Sequence, residues 1–509
     1  MTPARHRSAR PAVIAAAWLV ALAGCEPDTE PGWDSRPALK PLTNSVDIEH
    51  VVVISLDTLR ADHVACYGHP FVESPQIDAL ASEGLLFTNH VSTASSTLCS
   101  HTSLMTGSYP HTHGVPHNGV VVNQQNVMLA EILRQEGFTT AGFIGAMPLD
   151  SVFAFDQGFD HYDARYDLFQ DRDNRDEAER RAETVTDAAL AWLDRGGFAA
   201  GAAAGSSKRP RLFLFVHYFD VHWPYDAPAP FAGMYQQGST PPPPLPKTRG
   251  RVRNLFRDGR RQDALELSRA LDAEYCAELT YVDHHLKRLL DGLRERDLFD
   301  NALIILTADH GETMHEHQVY FHHGLRVYDT EIHTPLILRL PQGRFGNRRI
   351  DRLVSGIDVL PSVLHLLGLP VPARCEGQSF APLLDSPLPP RDPVFAEATQ
   401  PWRKTRFHSD PVWPNRDKYQ CIRTATHKYL FRLPDEKFAF YDLRNDPLEQ
   451  INLLEEGRAH DTALLADLRR RLDEWREEAD PLAAPMTESP EAIRKLESLG
   501  YVGGADDEE

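Results

Sequence analysis

The chain has 509 residues, 42% hydrophobic and 25% charged, an ordinary globular composition with enough length for one large core and a smaller one. A formal net charge of −20 excludes a nucleic acid or an anionic membrane surface as partner, so an anionic ligand must be drawn by local positive charge. The 24 histidines cluster, which points to bound cations as its source.

Arg5, Arg7 and Arg10 form a basic start, and residues 11–23, PAVIAAAWLVALA, form an apolar run too short to span a bilayer comfortably. Leu22-Ala23-Gly24-Cys25 resembles the bacterial lipoprotein cleavage box, with Cys25 the lipid-bearing residue. Residues 1–24 therefore read as a lipoprotein signal peptide and 25–47 as an acidic, Pro-rich tether. The expectation is a protein of the bacterial cell envelope, periplasmic or on the outer surface, touching the membrane through its lipid anchor only. Five further cysteines (Cys66, Cys99, Cys276, Cys375 and Cys421) show no C-x-x-C spacing, which argues against a zinc-thiolate site. An odd number leaves at least one unpaired.

Residues 49–55, EHVVVIS, are an apolar run with the look of a buried strand leading to Asp57. Residues 76–83 and 125–136 carry helical periodicity, and GFTTAGFIG (137–145) reads as the next strand. Residues 168–196 read as a charged surface helix, 199–210 as a low-complexity loop and 211–216 as a strand. The Pro-rich segment 236–251 cannot be regular structure. Residues 259–298 form a long helical region, ALIILTADHGE a buried strand with acid and imidazole at its end, and 335–340 another strand. Such alternation predicts an α/β domain built on a mixed or parallel sheet between helices, over 48–387. Ligands of such sheets gather at the carboxyl ends of strands. From residue 388 short alternating strands and turns predict a smaller α+β subdomain with a short antiparallel sheet, 388–480, with a helix at 459–480 and an acidic tail at 481–509.

Four segments carry the chemistry. Asp57 follows the first strand, and residues 93–113, TASSTLCSHTSLMTGSYPHTH, hold a run of hydroxyls around Thr97 and His101. Asp220 and His222, with His217 close by, end the strand at 211–216. Asp309 and His310 open TADHGETMHEHQVYFHHG, which also carries His323. A Ser/Thr run alone caps a helix, and one Asp or His after a strand is ordinarily a surface residue. Four such coincidences in one chain are another matter.

SSTLCSHTSLMTGSYPHTHGV resembles the nucleophile segment of the sulfatase family of the alkaline phosphatase superfamily, in which Cys-x-Pro-x-Arg runs into Leu-x-Thr-Gly. Counting back from Leu104-Met105-Thr106-Gly107, Thr97 stands at the nucleophile position and His101 at the arginine. Asp309-His310-Gly311-Glu312, followed by His323-Gly324, Tyr328, Glu331-Ile332 and Pro335-Leu336, resembles the family's second metal segment. Tyr441-Asp442-Leu443 and Asp446-Pro447 resemble the signature of its C-terminal subdomain.

The resemblance implies a metal-dependent ester hydrolase with the alkaline-phosphatase-like fold. Asp57, Asp309 and His310, completed by the Thr97 hydroxyl, would hold one divalent ion: calcium, magnesium, manganese or zinc. Thr97 would be the nucleophile, and His101, His222 and His323 would act on the substrate or as acid and base. His222 matches a family histidine that touches the transferred group, and His323 stands where many sulfatases have lysine. A sulfatase Cys or Ser is oxidised to an aldehyde, whereas threonine would give a ketone. The residue at 97 thus favours a phosphorus ester (phosphodiester or monoester) over a sulfate ester. Thr58 replaces the second Asp of the family's Asp-Asp pair, and GFIGAMPL (142–149) stands where family sulfatases supply a further Lys and His. Where fixed cations are lost, a second metal at Asp220, His222 and His323 is a natural replacement, as in two-metal phosphodiesterases. The competing readings are a sulfatase proper, a transferase of phosphorylated headgroups, and a catalytically dead glycan-binding relative. The substrate expected is a small-molecule, glycan or lipid-headgroup ester.

Overall fold

The computed structural model describes residues 33–165, 179–198, 210–236, 250–391, 393–399, 418–433, 436–455, 457–483, 489, 490 and 492. The signal peptide, Cys25, nearly all of the low-complexity loop, most of the Pro-rich insertion and most of the acidic tail lie outside the described residues.

In chain order the strands are β1 (His50–Leu56), β2 (Leu85–Phe87), β3 (His90–Val91), β4 (Phe138–Ile144), β5 (His161–Asp163), β6 (Arg211–Tyr218) and β7 (Ala302–Ala308). They continue as β8 (Leu336–Arg339), β9 (Arg348–Ile350), β10 (Val354–Ser355), β11 (Val394–Thr399), β12 (Lys418–Arg423), β13 (His427–Arg432) and β14 (Lys437–Asp442). The helices are α1 (Pro75–Ser82), α2 (Thr97–Thr106), α3 (Pro110–His113), α4 (Leu129–Gln135) and α5 (Ala182–Asp194). After them come α6 (Gly250–Arg257), α7 (Arg261–Arg294), α8 (Asp329–Ile332), α9 (Val359–Leu367) and α10 (Thr462–Glu477).

Eight strands make the large sheet in the order β5-β4-β6-β1-β7-β8-β2-β9. Its centre is parallel, and β8 runs antiparallel to both β7 and β2. The continuous apolar runs of the central strands follow from burial on both faces. Val51 and Val53 of β1 pack on one side with Phe213, Phe215, Leu303 and Ile305. Val52 and Ile54 pack on the other with Leu212, Leu214, Ile304 and Leu306. Alternating side chains thus enter two cores, each stabilised by about 1.5–3 kcal/mol per buried aliphatic residue.

Register brings the chemistry together. Ser55 of β1 pairs with His217 of β6 and Thr307 of β7, so the three central strands end at one level. Asp57 and Asp309 leave that level side by side. Beyond it, β11–β14 form a four-stranded antiparallel sheet, the arrangement the alternating pattern predicts. It is tied to the large domain by largely buried ions: Lys428 Nζ lies 2.9 Å from Asp329 and 2.8 Å from Glu449, and Arg423 Nη2 lies 2.7 Å from Asp329. Glu397 of β11 donates its backbone N–H to Thr93 O at 2.9 Å, which fastens the small sheet to the loop before α2. Cys66, Cys99, Cys276, Cys375 and Cys421 are all free thiols. Among the described residues no helix is long and apolar enough to cross a membrane.

Candidate active site

Thr97 is the first residue of α2, whose ten residues are all buried. The helix start is held by Leu98 N–H, which donates to Asn118 Oδ1 at 2.8 Å. Its end is fixed by Gly107 at φ 68°, where a Cβ would sit 2.6 Å from Cys375 Sγ. Thr97 therefore enters the site on a rigid element, with Oγ1 3.5 Å from His310 Nε2.

His310 donates Nδ1–H to Gly311 O at 2.9 Å, so its Nε2 lone pair faces the acids. That nitrogen is 3.4 Å from Asp309 Oδ2 and 3.8 Å from Asp57 Oδ1. The turn that makes this geometry needs Gly311, because a Cβ there would lie 2.3 Å from Thr330 O. Asp309 Oδ1 accepts from the backbone N–H groups of His310 (2.8 Å) and Thr58 (3.2 Å). Thr58 reaches that position only at φ 54°, unfavourable for a β-branched residue by on the order of 1–3 kcal/mol. Its hydroxyl donates to Val221 O at 3.0 Å, so it clamps the β6 turn onto the β1 turn rather than replacing the missing acid.

Both Asp57 oxygens and Asp309 Oδ2 are buried without a hydrogen-bond partner. Burial, with Asp309 alongside, pushes the Asp57 carboxyl well above its usual range. Two adjacent orphaned carboxylates, an imidazole lone pair and a hydroxyl form a donor set that fits a divalent cation, and Asp57, Asp309 and His310 have ligand atoms within 4.8 Å of one another.

Two further imidazoles face the same space. His222 donates Nδ1–H to Trp223 O at 2.6 Å, and its ring stands 4.9 Å from that of His323, centroid to centroid. His323 lies 4.5 Å from the His310 ring, and its Nδ1–H donates to Glu312 Oε1 at 3.2 Å. Glu312 also accepts from the Tyr225 hydroxyl. Residual exposure is 6% at His323, 5% at Asp309 and 2% at His222, against 0% at Asp57, Thr97, His101 and His310, so what solvent contact the site keeps is on the His323 side.

Other predicted residues go elsewhere. Asp220 does not join His222 and His323: its Oδ2 accepts Ala182 N–H at 2.7 Å, capping the start of α5. Among the described residues no group with metal-ligand spacing contains Asp220, His222 and His323. The start of α5 thus uses the carboxylate that the sequence reading offered to a second cation. His101 sits against the acids, its Nδ1 3.8 Å from Asp309 Oδ2 and 2.7 Å from Thr97 O, and its Nε2 2.9 Å from Ser55 Oγ. Glu312 carries no role in the sequence reading beyond its place in Asp-His-Gly-Glu; Asn118 and Tyr225 carry no local signal.

The description "Sulfatase" matches residues 49–369 of this geometry. The chain belongs to the sulfatase family. A second family model, "N-sulphoglucosamine sulphohydrolase, C-terminal", matches residues 315–478 of this sulfatase-family chain. The chain is 28% identical to the multifunctional alkaline phosphatase superfamily protein PehA of Trinickia caryophylli, over 87% of this chain and 98% of that protein. It is 26% identical to an ulvan-active sulfatase of Formosa agariphila, over 80% of this chain and 77% of the relative. The phosphonate monoester hydrolase of Agrobacterium radiobacter shares its fold, with a TM-score of 0.62, 21% identity, and coverage of 85% of this chain and 96% of that one. The sulfatase-family fold and an ester-hydrolysing activity follow, with a divalent metal typical of such enzymes.

Proposed function

We propose that this sulfatase-family enzyme hydrolyses a phosphorus ester, with Thr97 as nucleophile. The observation that carries the reading is the 3.5 Å separation of Thr97 Oγ1 from His310 Nε2, on a ring that itself faces Asp57 and Asp309. A divalent cation held by Asp57, Asp309 and His310 would supply the Lewis acidity that lowers the pKa of a hydroxyl beside it. Thr97 Oγ1, its proton released to solvent, then forms a bond to phosphorus while the bond to the leaving oxygen breaks. His323 or His222 gives that oxygen its proton from Nε2, since in both rings Nδ1–H is committed to an acceptor. Water, deprotonated by the same imidazole, attacks phosphorus and releases Thr97. Glu312 is a positioning residue: it holds the His323 ring and its tautomer.

A secondary alcohol at 97 supports phosphorus over sulfur, because it cannot become the aldehyde hydrate. The C-terminal match to an N-sulphoglucosamine sulphohydrolase supports a sulfate ester as the second reading. Exported and tethered at Cys25, the enzyme would meet such esters in the cell envelope, on small molecules, glycans or lipid headgroups. Rates on aryl phosphate, aryl phosphodiester, phosphonate monoester and aryl sulfate, measured on one metal-analysed preparation, decide between the two. Preference for the phosphorus esters is expected; a marked preference for sulfate would falsify the proposal.

A further inference from the structure

Behind the acids, on the side away from the opening, α2 and β6 set two more imidazoles. The rings of His101 and His217 meet edge to face with centroids 5.0 Å apart, and both are fully buried. His217 Nε2 lies 3.6 Å from Asp57 Oδ2, while His310 Nε2 lies 3.8 Å from the other oxygen, Oδ1. Asp57 thus offers each oxygen to a different imidazole. Asp309 Oδ2 does likewise, 3.4 Å from His310 Nε2 and 3.8 Å from His101 Nδ1.

These separations are longer than hydrogen bonds. They are close to the edge of a tetrahedron of donors, roughly 3.3–3.6 Å for bonds of about 2.0–2.2 Å to one ion. Neither nitrogen of His217 has a hydrogen-bond partner, and the residue is fully buried. A polar group so placed is unfavourable unless something uses its lone pair. His101, His217 and Asp309 have ligand atoms within 4.8 Å of one another.

We infer that His101, His217 and Asp309, together with the second oxygen of Asp57, hold a second cation of the zinc class, interior to the first. Two imidazoles with carboxylate oxygens suit that class better than calcium or magnesium. Ligation takes the His101 Nδ1 lone pair in place of its contact with the Thr97 carbonyl, and Nε2–H then donates to Ser55 Oγ, the outer partner such a ligand needs. The rings of Phe155 and Phe215, 6.0 and 5.7 Å from that of His101, close the far side, so no substrate enters here. The ion's work is electrostatic: it sets positive charge beneath the start of α2 and beside both acids, where the family's arginine at position 101 would do so. The inference rests on the reading that Asp57, Asp309 and His310 hold the first cation. It is a different place from Asp220, His222 and His323.

The test is zinc stoichiometry of the full chain, stripped with chelator, reloaded with zinc and desalted, together with anomalous scattering from crystals of the loaded protein. Two equivalents are expected, with one peak among Asp57, Asp309 and His310 and the other among His101, His217 and Asp309. His217→Gln should bind one equivalent and keep the first peak, whereas His222→Gln should bind two. A single equivalent in the unaltered chain, lost in His310→Ala and untouched by His217→Gln, would overturn the second site alone. No bound ion at all would overturn both the site and the functional reading. Should His217→Gln fail to fold, the anomalous map of the unaltered protein decides by the presence or absence of the second peak.

Discussion

The ends of β6 and β7 read alike in the sequence, each an apolar run followed by acid and imidazole, yet they do opposite things. After β7 the backbone turns tightly at Gly311, and Asp309, His310 and Glu312 all bear on one centre. After β6 three polar residues take three directions. His217, still in the strand, points beneath Asp57; Asp220 caps α5; His222 joins His323 at the opening. Composition at a strand end therefore identifies a place where ligands gather, and the path of the turn decides which side chains reach it.

Removing the hydroxyl of Thr97, the proposed nucleophile beside the β7 centre, should have the largest effect. Thr97→Ala is expected to lower kcat on the preferred ester by at least ~10³-fold while Tm stays near that of the unaltered chain. Activity near the original in a folded Thr97→Ala would remove Thr97 from the reaction. Next comes the imidazole shared by the two ends. His323→Gln should lower kcat by about 10²-fold and flatten the limb of the pH–rate profile that its ring controls; an unchanged profile would assign the proton to His222. A smaller loss, on the order of 10-fold, is expected for Glu312→Gln, because an amide still meets His323 Nδ1–H but no longer supports a positive ring. If kcat and the profile were both unmoved, Glu312 would be packing only.

The smallest effect on turnover belongs to Asp220, at the β6 end. Burial pushes Asp220 up from 3.8 to about 6, and Glu278, buried near it, is raised by burial and by Asp220 in turn. The folded chain therefore holds the Asp220 proton more tightly than the unfolded one. The stability it contributes is full below about pH 4 and fades as pH rises through 6. Asp220→Asn keeps an oxygen for Ala182 N–H and should make Tm less dependent on pH between 4 and 7, with turnover and metal content unchanged. Loss of metal in Asp220→Asn would return Asp220 to the active centre and erase the contrast between the two strand ends.

Much of the fold was legible because burial on both faces writes itself as unbroken apolar strands such as HVVVISL, and the antiparallel sheet as short alternating ones. The sheet order, and the reversal of β8 within it, had no local signature. At the centre, Asp57, Thr97, Asp309 and His310 could be named from motifs, whereas Asn118, Ser55 and Tyr225 act through contacts across 20, 46 and 87 positions of chain and leave no pattern nearby.

By itself, then, the sequence determined membership of the sulfatase family, the strand–helix alternation and the residue types at the candidate centre, since these depend on short-range periodicity and on side-chain chemistry. Only the tertiary structure decided that Asp220 serves a helix and that His101 and His217 lie behind the acids. It also decided that each oxygen of Asp57 faces its own imidazole. Those outcomes depend on strand register and on the direction a turn takes, which are set by packing among segments distant in the chain.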